Sequence, residues 1–113
     1  MVKKPYIPSR RDIVWINFNP TRGHEQGNLR PALVLSEKAY NQKTNLAVVC
    51  PITNQIKGYN FEVVIDELKI TGAILSDHVR SIDWNKRNVR FIQKVSPAVF
   101  NEVEEKLSVL LFG

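Results

Sequence analysis

Pro20-Thr-Arg-Gly-His-Glu-Gln-Gly-Asn-Leu-Arg-Pro31, running directly into Ala32-Leu-Val-Leu35, decides how this chain is read. Gly23 and Gly27 let the segment bend sharply, and the apolar run behind it reads as a central strand. The loop therefore presents Glu25 and Arg30 from a firm base. An arginine grips two phosphate oxygens in one plane, and a carboxylate close by can orient that guanidinium or accept from a base edge. A solvated ion pair that merely closes the loop is the competing reading.

Outward from this stretch the pattern is of short strands followed by one helix. Residues 12–19 are apolar on both faces for much of their length, as a buried strand is, and Trp15 is placed in the core. Residues 32–35 and 46–52 are expected as central strands, with a helical turn inside the polar segment 36–45. Residues 61–65 alternate Phe61, Val63 and Ile65 against Glu62 and Val64, the signature of a half-buried strand. Residues 73–75, 79–84 and 89–95 add three more, the last with Val89, Phe91 and Val95 on one face and Arg90 and Lys94 on the other. Ser96-Pro97 then supplies an N-cap and a first-turn proline. Val99, Val103, Leu107 and Leu110 recur at helical spacing, leaving Glu102, Glu105 and Lys106 for solvent, so this helix is expected to close the core against the sheet. A mainly β domain with a C-terminal helix follows, as a small barrel or sandwich.

Bulk properties narrow the class. The 113 residues suit one domain over 1–113, with an ordinary 43% hydrophobic and 24% charged composition. No apolar run nears the roughly 20 residues of a membrane span, and the N-terminus has no signal-peptide core, so a cytoplasmic protein is expected. Cys50 is the single cysteine and reads as a small buried hydrophobe. The net charge of +5 concentrates in residues 1–30 and in Arg80, Lys86, Arg87, Arg90 and Lys94. Together these would make a surface suited to nucleic acid or an acidic partner. No metal-ligand cluster and no Gly-rich loop ending in Lys-Ser or Lys-Thr is visible, so no metal and no cofactor is expected.

The block as a whole resembles the MazF/PemK family of toxin ribonucleases. That family's first loop reads Asp-Pro-Thr-x-Gly-(Ser or His)-Glu-Gln, then a short spacer, Arg-Pro and a hydrophobic strand. Here it stands as Asn19-Pro20-Thr21-Arg22-Gly23-His24-Glu25-Gln26 and Arg30-Pro31. The likeness continues in order through Tyr40-Asn41, Pro51-Ile52-Thr53, Lys57-Gly58-Tyr59, Phe61-Glu62-Val63, Asp77-His78-Val79-Arg80-Ser81-Ile82 and the final helix. The resemblance implies an SH3-like β-barrel with a C-terminal helix, usually a homodimer. It implies the toxin of a type II toxin–antitoxin pair: a sequence-specific, metal-independent endoribonuclease that cuts single-stranded mRNA to 2′,3′-cyclic phosphate and 5′-hydroxyl ends. The partner would be an antitoxin whose acidic, flexible tail occupies the basic groove and with which the toxin binds DNA.

RNA carries its own nucleophile, the 2′-hydroxyl, so the protein need only move protons and stabilise charge on the phosphorane. Arg30 is the candidate for charge stabilisation, because arginine as a residue type is a poor proton shuttle. Thr53, at the end of a strand, can donate a hydroxyl to a phosphate oxygen; capping a turn is the bland alternative. The resemblance places the family's catalytic arginine and threonine on Arg30 and Thr53, and its groove glutamate on Glu25. His24 and His78 invite a two-histidine scheme, but the family often has serine at the first position and usually glutamine at the second. Asp77 and Arg80 match a functional stretch that in some members includes a preceding arginine; that position is Leu75 here. Candidate RNA contacts are His24, Gln26, Asn41, Lys57, Asp77, His78 and Arg80. Two other classes stay open: a toxin of the same barrel that inhibits DNA gyrase, and a non-catalytic binding module.

Overall fold

The computed structural model describes residues 5–18 and 29–113. The alternating and continuous apolar runs fold as β1 (Asp12–Asn17), β2 (Leu29–Val34), β3 (Leu46–Thr53), β4 (Glu62–Glu67), β5 (Ile70–Leu75), β6 (Arg80–Asp83) and β7 (Arg90–Lys94), with α1 (Lys38–Thr44) and α2 (Pro97–Phe112). The strands make one sheet in the order β4-β5-β3-β2-β1-β7, and β6 pairs with the first half of β3 on the edge that β5 continues. All pairings are antiparallel. The sheet curls into a half-barrel with α2 across it, the mainly β fold with a C-terminal helix that the strand pattern leads one to expect.

Curling gives each central strand two buried faces. Ile13, Leu33, Cys50, Ile52, Ile65 and Ile74 pack with Phe100 and Val103 of α2. Val14, Ile16, Ala32, Val34, Val49 and Ile82 form a second cluster on the opposite face. This is why β1 and β2 read as continuous rather than alternating apolar runs. The helix begins as its sequence requires: the Ser96 hydroxyl accepts from Val99 N at 3.3 Å, with proline in the first turn. Glu67 accepts from Ser96 N and Oγ, locking the β4–β5 hairpin to the helix start. Val103 is fully buried and Val99 and Leu107 pack on the core, whereas Leu110 is exposed.

Asp12 anchors the N-terminal segment. It is almost fully buried and accepts from Tyr6 Oη at 2.5 Å, Ser9 N at 3.0 Å and Lys94 Nζ at 2.6 Å. Burial, reinforced by the bond to Asp12, pushes the Tyr6 phenol well above its ordinary range, so it stays a neutral donor. Cys50 is buried as expected; desolvation first, and the Asp77 charge second, push its thiol up to about 12.

Three expectations need correction. The β7 face is not Val89, Phe91 and Val95: the register shifts between Ile13 and Val14, so Gln93 pairs with Ile13 and Phe91 with Val14. That one-residue bulge buries Ile92 and leaves Phe91 half exposed. Glu62 does not face solvent. It is buried and its carboxylate accepts from Lys57 N and Gly58 N, tying down the loop between β3 and β4.

Asn41, expected as an RNA contact, is fully buried and fully engaged. Its Oδ1 accepts from Ser36 Oγ at 2.6 Å, and its Nδ2 donates to Pro8 O and Ser36 O. The polar segment turns on this amide, because Asn41 is the one residue that α1 buries. Asn41→Leu strands these buried groups, so we expect a loss of about 2–4 kcal/mol of stability in urea melts, with nucleic-acid affinity per folded molecule unchanged.

Candidate functional site

Arg30 lies not in the loop but inside β2, whose first two residues are exposed. In the β2–β3 ladder Ala32 pairs with Pro51 and Val34 with Val49. Carrying that antiparallel register two residues further sets Arg30 opposite Thr53. Alternation then puts both side chains on the face of Ala32, Val34 and Val49, just past the end of the second apolar cluster. Arg30 and Thr53 both line a cleft of about 550 Å³ with Trp15, Pro31, Gln55 and Lys69.

The Thr53 hydroxyl accepts from Gln55 N at 3.1 Å, so the turn-capping role is real. Its own hydrogen has no acceptor among the described residues and remains available. Arg30 likewise has no ion-pair partner among the described residues. Thr53 is held against β5 by an unusually close approach: a Cβ built on Gly72 would sit 2.3 Å from the Thr53 carbonyl oxygen.

A second cleft of about 220 Å³ shares Thr53 and Gln55 with the first and continues past Lys57, Tyr59, Asp77 and His78. His78 Nε2 stands 3.9 Å from Asp77 Oδ1, both exposed in the short turn after β5. The two clefts form one groove with Thr53 at the join. Arg80 stands outside both; its guanidinium lies 5.3 Å from the centre of the Phe18 ring, on the face of the second cluster. His24, Glu25 and Gln26 lie outside the described residues. Among the described residues no group of three or more metal-ligating side chains comes together, and no helix is long and apolar enough to cross a membrane.

Trp15, Lys69, Gln55 and Tyr59 were not legible as groove residues. In a strand buried on both faces, nothing in the sequence marks which position the barrel mouth leaves open. Trp84, by contrast, belongs to the core: it packs on the second cluster and its Nε1 donates to Asn41 O.

The profile of the PemK-like, MazF-like toxins of type II toxin–antitoxin systems matches residues 9–111. The chain belongs to this PemK/MazF-like toxin family. A relative from Escherichia coli (strain K12), named endoribonuclease toxin MazF, is 41% identical over 106 residues, covering 94% of this chain and 96% of that protein. The crystal structure of MazF (Form-I) from Deinococcus radiodurans superposes with a TM-score of 0.85 at 46% identity, covering 95% of this chain and 98% of that one. A MazE–MazF (Form-II) structure from the same organism also reaches 0.85, at 41% identity and coverages of 96% and 98%. The groove of this PemK/MazF-like toxin therefore lies wholly within the matched segment, from Trp15 to His78. His78 lines the half of the groove away from Arg30.

Proposed function

We propose that this chain, read as a single toxin domain, is a sequence-specific endoribonuclease acting on single-stranded RNA. The observation that carries the reading is the convergence of Arg30 and Thr53 on one face at one cleft, in a chain whose relatives bear endoribonuclease names.

The chemistry follows from the two groups. In-line attack of the 2′-hydroxyl on the neighbouring phosphorus builds negative charge on the non-bridging oxygens. A guanidinium presents two parallel donors to that charge, and a threonine hydroxyl supplies a third. The bond from the 2′-oxygen to phosphorus forms as the bond to the 5′-oxygen breaks. The proton lost from the 2′-hydroxyl to solvent water is returned from water to the leaving 5′-oxygen, giving a 2′,3′-cyclic phosphate and a 5′-hydroxyl. Glu25 takes the part of orienting Arg30 or reading a base. Lys57, Asp77 and His78, lining the second cleft, are the candidates for reading bases to one side of the scissile phosphate.

The same cationic groove suits a small antitoxin with an acidic, flexible tail, which would order on binding. A homodimer and a cytoplasmic setting, where mRNA is met, complete the reading. The test is to incubate the chain with a long RNA in chelator and map the new ends. Recurring cuts at one short sequence, with 5′-hydroxyl and cyclic-phosphate ends, are expected. RNA recovered intact after long incubation sinks the proposal.

A further inference from the structure

Glu62 is a buried carboxylate that no cation neutralises among the described residues. Its Oε1 accepts from Gly58 N at 2.8 Å and Lys57 N at 3.1 Å, and its Oε2 from Lys57 N at 3.2 Å. Donors of this kind are what a carboxylate needs where water is scarce. The sheet register says where the grip acts. Thr53 pairs with Ala73 and Glu62 with Leu75, and Ala73 and Leu75 stand two apart on β5. Glu62 and Thr53 therefore project from the same sheet face, the one that carries Arg30. Both line the second cleft.

Residues 54–61 form no helix or strand, yet their backbone is held at both ends. The Thr53 hydroxyl accepts from Gln55 N, Lys106 Nζ donates to Asn60 O, and Ser76 N donates to Phe61 O. Glu62 supplies the hold in the middle, at the turn that Gly58 makes with a φ of 82°. What this loop shows to the cleft is Lys57 and Tyr59, the latter 66% exposed. An open aromatic ring and a cation two residues away suit an unpaired base, stacked on the one and hydrogen-bonded by the other.

We infer that Glu62 is a positioning residue for RNA binding. By gripping Lys57 N and Gly58 N it fixes the 54–61 loop, so that one base stacks on Tyr59 and meets Lys57 while the strand runs on to Thr53 and Arg30. Glu62 touches no substrate atom and acts through the loop. The inference rests on the endoribonuclease reading and deepens it.

The test uses the full chain and the RNA sequence it cuts, synthesised with a 2′-deoxy nucleotide at the cleavage position, with binding counted per folded molecule. Tyr59→Ala should weaken binding of this probe roughly 5- to 100-fold, the span of losing one base–aromatic stack. Glu62→Ala should weaken it within the same range. The double variant should bind no worse than the weaker single, because one loop carries both effects. On cleavable RNA, KM should rise more than kcat falls. Glu62→Gln keeps an oxygen for the two amides and should stay within about threefold of wild type. Asn41→Leu controls for lost stability alone and should bind as wild type does. If Glu62→Ala does not fold, Glu62→Asp, one methylene shorter, takes its place. Three results overturn the inference while leaving the nuclease reading in place. The first is either single variant binding the probe as Asn41→Leu does. The second is additive losses in the double variant. The third is Glu62→Gln falling as far as Glu62→Ala, which assigns the effect to the charge and not to the loop. A wild type that cuts no RNA removes the underlying reading, and this inference with it.

Discussion

Arg30→Ala should lower RNA cleavage by roughly 10³-fold, since deleting a single donor at a developing oxyanion already costs about 10²–10³-fold and this one also carries the charge. The fold should be untouched. Arg30 is exposed at the start of β2, its side chain has no hydrogen-bond or ion-pair partner among the described residues, and its replacement leaves the cross-strand partners of Ala32–Val34 in place. Melting temperature and circular dichroism should therefore match wild type. Arg30→Lys keeps a cation but loses the planar pair of donors, so it should recover only part of the rate. The loss should fall on kcat rather than KM, because phosphorane charge exists only in the transition state. Cleavage by Arg30→Ala within tenfold of wild type removes Arg30 from the chemistry.

Gly72→Ala is the largest expected effect away from the groove surface. The added methyl would meet the Thr53 carbonyl oxygen at 2.3 Å and Ile52 Cγ2 at 3.4 Å. The first contact is backbone against backbone, so no side-chain rotation relieves it. Either β5 moves away from β3 or Thr53 shifts. Overpacking of this kind costs about 1–3 kcal/mol, or roughly 5–20 °C in Tm for a domain of this size. The more informative readout is activity at a temperature where the variant is folded. A displacement near 1 Å of a positioned group can cost about 10²-fold, so cleavage should fall beyond what the unfolded fraction explains. Gly58→Ala is the control: its φ of 82° is left-handed, but nothing lies within 4 Å of the new methyl. It should cost some stability and little rate. Equal cleavage by folded Gly72→Ala and wild type would show that the backbone at Thr53 tolerates movement.

Several elements were legible because local chemistry dictates them. Ser96-Pro97 and the spacing of Val99, Val103 and Leu107 specify a capped amphipathic helix whatever lies beside it. The apolar runs at β1, β2 and β3 can only be strands with both faces covered. The buried Cys50 follows from its company. Arg30 and Thr53 were nameable as a pair from the motif they share with the family, and the ladder then sets them opposite each other.

What stayed illegible depends on contacts between segments far apart in sequence. Asn41 looks like any exposed helix residue until Pro8 and Ser36 close around its amide. Glu62 looks solvated until the Lys57–Gly58 backbone folds over it. Trp15 looks buried because its strand is, and only the opening of the barrel at β1, β2 and β3 leaves its face uncovered. Periodicity and capping are properties of a few neighbouring residues, and the sequence by itself determined those. Burial of a polar group, exposure of an aromatic one and the meeting of Arg30 with Thr53 are set by sheet register and curl. Those were decided by the tertiary structure alone, because register is a relation between strands and no single strand contains it.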